Sequence, residues 1–218
     1  MDAIIQSLQH LLDPDWIMQN GGLYLVLLIL FIETGIIFGF FLPGDPLLFI
    51  SGMVIASATD TPYPFETPSF NLIFWISLFS VSTILGNNLG YWFGKRFGPY
   101  LLKRKDTWIF KKKHIYAAQE FYDKRGGFTI GIARFLPIVR TFAPIIAGMV
   151  KMDYKRFTTY NILGALIWVI SITLLGFVLG KNPWVKENLE FVILGLVLVV
   201  TLPVIFKMLK KKGTTVPQ

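Results

Sequence analysis

The chain has 218 residues, 54% of them hydrophobic, with twenty Phe and no Cys, and its net charge of +8 is gathered into a few clusters beside long apolar runs. A soluble domain would spread those charges, and basic residues flanking apolar segments suit anionic headgroups rather than nucleic acid. The lack of Cys excludes disulfides and thiolate chemistry, His10 and His114 are far apart in sequence, and no nucleophile and base are paired, so no metal, cofactor or catalytic residue is expected and the chain does not read as an enzyme.

In chain order, residues 1–20 carry Ile4, Ile5, Leu8, Leu11 and Leu12 at helical spacing and read as an amphipathic helix at the membrane interface, ended by Asn20-Gly21-Gly22. Asp2, Asp13 and Asp15 are its only formal charges and the first basic residue is Lys95, which argues against a cleaved signal peptide. From about 22 to 57 the chain is apolar but interrupted at Pro43-Gly44-Asp45-Pro46, where a helix cannot continue, so it reads as two helical arms around an unwound corner. A base-free loop follows, then a transmembrane helix at about 70–94 and a basic zone from Lys95 to Arg125, expected on the cytoplasmic side.

Residues 126–150 are apolar again, with breaks expected at Pro137 and Pro144 and basic residues on both flanks, so this segment enters and leaves by one face. A transmembrane helix at about 157–180, a short outer turn from Lys181 to Glu190, a C-terminal transmembrane helix within 181–206 and a basic cytoplasmic tail at 207–218 complete the chain. The expected architecture is an all-α polytopic membrane protein with about three full transmembrane helices and two re-entrant broken hairpins. The base-free N-terminus and the loop from Ser57 to Ser69 are expected outside, with the first hairpin re-entrant from that face; if Leu23 to Phe41 spans fully, the N-terminus is cytoplasmic instead.

The two breaks look alike. Phe41-Leu42-Pro43 leads to Ser51-Gly52-Met53, and Phe135-Leu136-Pro137 leads to Ala147-Gly148-Met149. The flanking charges make these copies opposite in orientation, an inverted repeat of the kind that builds secondary transporters around broken helices. Four ionisable residues fall inside the apolar segments: Glu33 and Asp45 in the first hairpin, Arg134 and Arg140 in the second. An intramembrane charge is costly and seeks a partner, so opposed hairpins are expected to pair acids with arginines. The arginine forks suit a phosphate, which makes Arg134 and Arg140 the candidate substrate-binding pair. A carboxylate in apolar surroundings is a candidate proton carrier, since burial disfavours its charged form, and this assigns proton coupling to Glu33 and Asp45. Static ion pairs are the plainer reading of any one of these residues.

Asn87, Asn88 and Asn161 are candidates for lining a cavity, with interhelical hydrogen bonding as the equal alternative. Gly86, Gly90, Gly94 and Gly98 repeat every four residues, as close helix packing requires.

These motifs resemble the DedA family of bacterial inner-membrane proteins, which share the SNARE-associated or VTT domain. The resemblance runs from Leu23 to Gly180 and rests on Glu33-Thr34, Phe41-Leu42-Pro43-Gly44-Asp45, Gly90-Tyr91-Trp92-Phe93-Gly94, Ala133-Arg134-Phe135-Leu136-Pro137 with Arg140, and Ala147-Gly148-Met149 with Phe157, Asn161, Gly164 and Trp168. It implies a flippase that returns undecaprenyl phosphate, or a related polyprenyl phosphate, across the bacterial cytoplasmic membrane with a link to the proton gradient. Glu33, Asp45, Arg134 and Arg140 match the family's important charged positions. The expected partners are an anionic lipid phosphate, membrane lipids and protons, with a homo-oligomer left open. A proton-coupled carrier of a small ion or cation, and a non-selective phospholipid scramblase, are the competing readings.

Overall fold

The computed structural model describes residues 22–36, 39, 42–57, 64–103, 137–189 and 191–195. The expected N-terminal amphipathic helix, residues 104–125 of the basic zone, the first arm of the second hairpin, most of the C-terminal transmembrane helix and the basic tail lie outside the described residues. The helices are α1 (Gly22–Gly35), α2 (Gly44–Ser57), α3 (Pro68–Lys103), α4 (Pro137–Met149), α5 (Tyr154–Leu179) and the short α6 (Pro183–Glu187).

Length divides them into two kinds. With 36 and 26 residues, α3 and α5 extend about 54 and 39 Å at ~1.5 Å per residue, beyond the ~30 Å of a hydrocarbon core. In contrast α1, α2 and α4, at 14, 14 and 13 residues, reach only about 20 Å each. The long helices are apolar on their outward faces and carry several of their polar residues inside. Ile73, Val81, Leu85, Ile167, Ile170 and Val178 point outward and are exposed, while Ser80, Thr83, Asn87, Asn161 and Thr173 are buried. Water would disfavour that arrangement and lipid favours it.

Three boundaries differ from the sequence reading. Helix α3 runs past the expected end at 94 to Lys103, because Lys95 and Arg96 are good helix formers that extend the helix beyond the apolar stretch. Pro144, expected as a break, sits inside α4. It removes the helical hydrogen bond to the Arg140 carbonyl, but α4 is held against α3 by the close contacts of Ile145 with Gly94 and Met149 with Gly98. The turn expected from Lys181 to Glu190 contains α6, started by Asn182, whose side chain accepts from the Trp184 N–H, with Pro183 as the first helical residue.

The break at Pro43 is a tight corner. The Gly39 N–H donates to the Ile36 carbonyl and the Leu42 N–H to the Gly39 carbonyl, and α2 begins as the Leu47 N–H reaches the Pro43 carbonyl. A side chain at Gly39 would run into the backbone of Ile32 and Glu33, so only glycine lets the chain fold back this closely on the end of α1.

Contacts between helices fix their directions. α1 runs parallel to α3: Tyr24 meets Trp75, the Ser82 hydroxyl donates to the Leu27 carbonyl, and Gly35 abuts Gly86. α2 runs parallel to α5, with Phe49 against Gly176 and Met53 against Gly180. α4 runs parallel to α3, with Ile145 against Gly94 and Met149 against Gly98. α3 and α5 are antiparallel, since Ile84 and Asn87 meet Asn161 while the later Tyr91 meets the earlier Phe157.

Two consequences follow. The second arm of each hairpin, α2 or α4, packs on the long helix of the other repeat, and the two interfaces match residue for residue: Phe49, Gly52 and Met53 occupy the places of Ile145, Gly148 and Met149. Because α2–α3 and α4–α5 run in opposite senses, the repeat seen in the sequence is inverted within the folded chain. The corner after α1 lies level with Gly86, near the middle of α3. A large apolar core of α1, α2, α3 and α5 residues, including Leu30, Phe49, Trp75 and Val169, fills one half of the bundle.

Candidate functional site

The charges meet where the short helices stop. Glu33 lies in the last turn of α1, Asp45 in the first turn of α2, and Arg140 in the first turn of α4. All three are buried. The Arg140 Nη1–H donates to Asp45 Oδ1 at 2.6 Å, and Nη2–H donates to Glu33 Oε1. One guanidinium from the second repeat therefore bridges two carboxylates from the two arms of the first.

Each group is where local structure favours it. Asp45 sits at the N-terminus of α2, where the exposed N–H groups and the helix dipole favour negative charge. The Glu33 carboxylate occupies the space a side chain at Gly44 would fill, so Gly44 is required to admit it to that same helix end. Pro43 ends the corner and Pro137 opens α4, each at a position where the missing N–H costs no helical bond.

A fourth residue completes the cluster. Trp168 of α5 donates its Nε1–H to Asp45 Oδ1 at 2.9 Å, and the Arg140 Cζ lies 4.7 Å from the centre of the Trp168 ring. Asp45 Oδ1 thus accepts from both Arg140 and Trp168. The sequence reading carried Trp168 as a motif residue but assigned it no place in the site; an indole near the middle of an apolar span was the available signal.

The cluster is not saturated. Glu33 Oε2 and Arg140 Nε are buried without a hydrogen-bond partner among the described residues. With both acids ionised, these three residues carry one excess negative charge. Arg134, the other expected phosphate ligand, lies outside the described residues. A guanidinium with a spare N–H, held by two carboxylates that either a proton or a competing anion would displace, is suited to exchanging partners.

The asparagines form a separate layer. The Asn87 side-chain N–H donates to Asn161 Oδ1 at 2.9 Å, and Asn161 donates to the Ile84 carbonyl at 3.3 Å, which ties α3 to α5. Asn88 Oδ1 is buried without a partner among the described residues. Below them Tyr91 stacks on Phe157 at 4.6 Å between centroids and donates its hydroxyl to the Met152 carbonyl at 2.6 Å. The glycines of α3 act in packing: Gly86 meets α1, and Gly90, Gly94 and Gly98 meet α4.

Comparison with known proteins finds named membrane proteins among the relatives. The VTT domain profile matches residues 25–178. Protein DedA of Escherichia coli K12 is 39% identical over 188 residues, covering 86% of this chain and 82% of that protein. An uncharacterized membrane protein of Mycobacterium tuberculosis H37Rv is 36% identical over 209 residues, covering 93% and 88%. Inner membrane protein YqjA of Escherichia coli K12 is 35% identical over 184 residues, covering 82% and 76%. No solved structure matches the chain.

Proposed function

The chain belongs to the VTT-domain, or DedA, family of membrane proteins, and from that premise we propose that it is a transporter of a lipid phosphate, undecaprenyl phosphate or a related polyprenyl phosphate, in the bacterial cytoplasmic membrane. The location follows the relative named as an inner membrane protein. In this reading α3 and α5 cross the bilayer, the C-terminal apolar segment is a third crossing, and the α1–α2 hairpin and the α4 hairpin re-enter from opposite faces. The prenyl chain stays in lipid while the phosphate passes through the centre of the bundle.

The observation that carries the proposal is Arg140 bridged between Glu33 and Asp45 by opposed repeats. Phosphate replaces a carboxylate on the guanidinium, with Arg134 as second ligand, and the released acid takes up a proton. That exchange links movement of the anion to the proton gradient without a cofactor or a covalent step. The excess of carboxylate over guanidinium at Glu33, Asp45 and Arg140 favours a second reading, a proton-coupled carrier of a small cation, in which the acids are the binding site.

Proteoliposomes loaded with a fluorescent polyprenyl phosphate separate the readings. Wild-type protein should move the lipid between leaflets and respond to an imposed proton gradient, and R140K, which keeps the charge but loses the planar fork, should be impaired. Unchanged transport by an R134A/R140A double variant sinks the phosphate reading. Equal movement of phosphatidylcholine identifies a scramblase, and proton-linked cation flux without lipid phosphate supports the second reading.

A further inference from the structure

We infer that Trp168 is the positioning residue that lets Arg140 trade its carboxylate for the phosphate of the lipid, an inference that rests on the phosphate-transport reading above. One indole contacts both members of the Asp45–Arg140 pair. Its N–H donates to the same Asp45 oxygen that Arg140 holds, and its ring lies under the guanidinium. Trp168 itself is buried, and it is carried by α5, a different helix from those bearing Glu33, Asp45 and Arg140.

The chemistry of exchange gives these contacts a role. Pulling Arg140 away from Asp45 in a dry site leaves a buried carboxylate short of a donor, and an unpaired buried charge is costly. The Trp168 N–H remains on Asp45 when the guanidinium leaves, which reduces that cost until the released acid takes up its proton. It also shares the electron density of Oδ1, so Asp45 holds Arg140 less tightly than an uncompensated carboxylate would. The ring face meanwhile attracts the guanidinium in either state and keeps it at the site while its hydrogen-bond partner changes. Glu33 has no second donor among the described residues, so its bond to Arg140 has no comparable support. Asp45 is therefore the partner that yields first.

The test uses the full chain in detergent with farnesyl phosphate as a short polyprenyl phosphate probe, read by the probe-dependent rise in melting temperature across a titration. Trp168→Phe keeps an aromatic face but deletes the N–H and part of the packed volume; without probe it should melt modestly below wild type, and it should bind about tenfold more weakly, the scale of one hydrogen bond to a charged group. Trp168→Leu, which also removes the ring, should bind more weakly still. In an Asp45→Asn background, where the carboxylate no longer competes, adding Trp168→Phe should cost little further. Wild-type binding by Trp168→Phe would mean that the indole only packs, and would overturn the inference while leaving phosphate transport standing. Failure of farnesyl phosphate to protect even the wild-type protein would overturn the phosphate reading and this inference with it.

Discussion

Removing the Arg140 guanidinium should destabilise the protein strongly, and the rescue of that loss should be lopsided. In R140A both carboxylates lose their cation, and breaking a buried ion pair from one side costs about 3–5 kcal/mol because a buried charge is left uncompensated. The two acids are not left alike. Both acids share the N-terminus of α2, but Asp45 also keeps the Trp168 N–H at 2.9 Å, whereas Glu33 is fully buried and keeps no hydrogen-bond partner among the described residues. Most of the penalty therefore falls on Glu33. Melting followed by intrinsic fluorescence in detergent should show R140A lower by about 6–20 °C, using ~2–4 °C per kcal/mol for a chain of this size. R140A/E33Q should recover most of that drop and R140A/D45N little of it. A triple R140M/E33Q/D45N variant, apolar or neutral throughout, should melt near wild type and yet transport nothing. Equal rescue by the two double variants, or an R140A protein as stable as wild type, would refute the charge accounting on which the site is built.

Two further outcomes follow from packing and backbone geometry. A methyl group added at Gly52 or Gly148 would collide with the backbone of the facing long helix, at Thr173 and Tyr91 respectively, while one added at Gly90 makes ordinary contacts of 3.5 Å and more. G52A and G148A should each lose about 1–3 kcal/mol and G90A should be near neutral or slightly stabilised, as read by melting temperature; a wild-type melting temperature for both of the first two would break the matched-interface account. Lys151 closes α4 in the left-handed conformation, φ 53°, as the Met152 N–H returns to the Ala147 carbonyl and the Lys151 N–H to that of Gly148. That is the geometry glycine usually supplies, so K151G should gain about 0.5–1 kcal/mol in the same measurement, and a loss would contradict it.

The sequence revealed more of the architecture than of the boundaries. The break at Pro43 was legible because proline and glycine act locally on the backbone, and the repeat was legible because Phe-Leu-Pro and Gly-Met recur in order. Pro144 misled for the same reason: a proline reports only its own missing N–H, while its cost depends on whether a neighbour such as α3 holds the helix around it. The end of α3 was set too early because loss of hydrophobicity was taken as loss of helix, and Lys95 and Arg96 lower the one without ending the other. The end of α4 carries no glycine signal, since Lys151 occupies the place where one is usual.

At the site, sequence alone determined which residues bear charge in an apolar setting and which sign each repeat supplies. Those are properties of single positions, since any charge within a membrane-length apolar run needs a partner wherever the chain goes. Only the tertiary structure decided the pairing. Arg140 takes both Glu33 and Asp45, and Trp168 joins them from α5, because α2 and α4 each pack on the other unit's long helix while α1 packs on α3. Residues roughly a hundred positions apart are brought within hydrogen-bond distance by glycine contacts elsewhere in the bundle, and no local pattern records which distant backbone a glycine will admit.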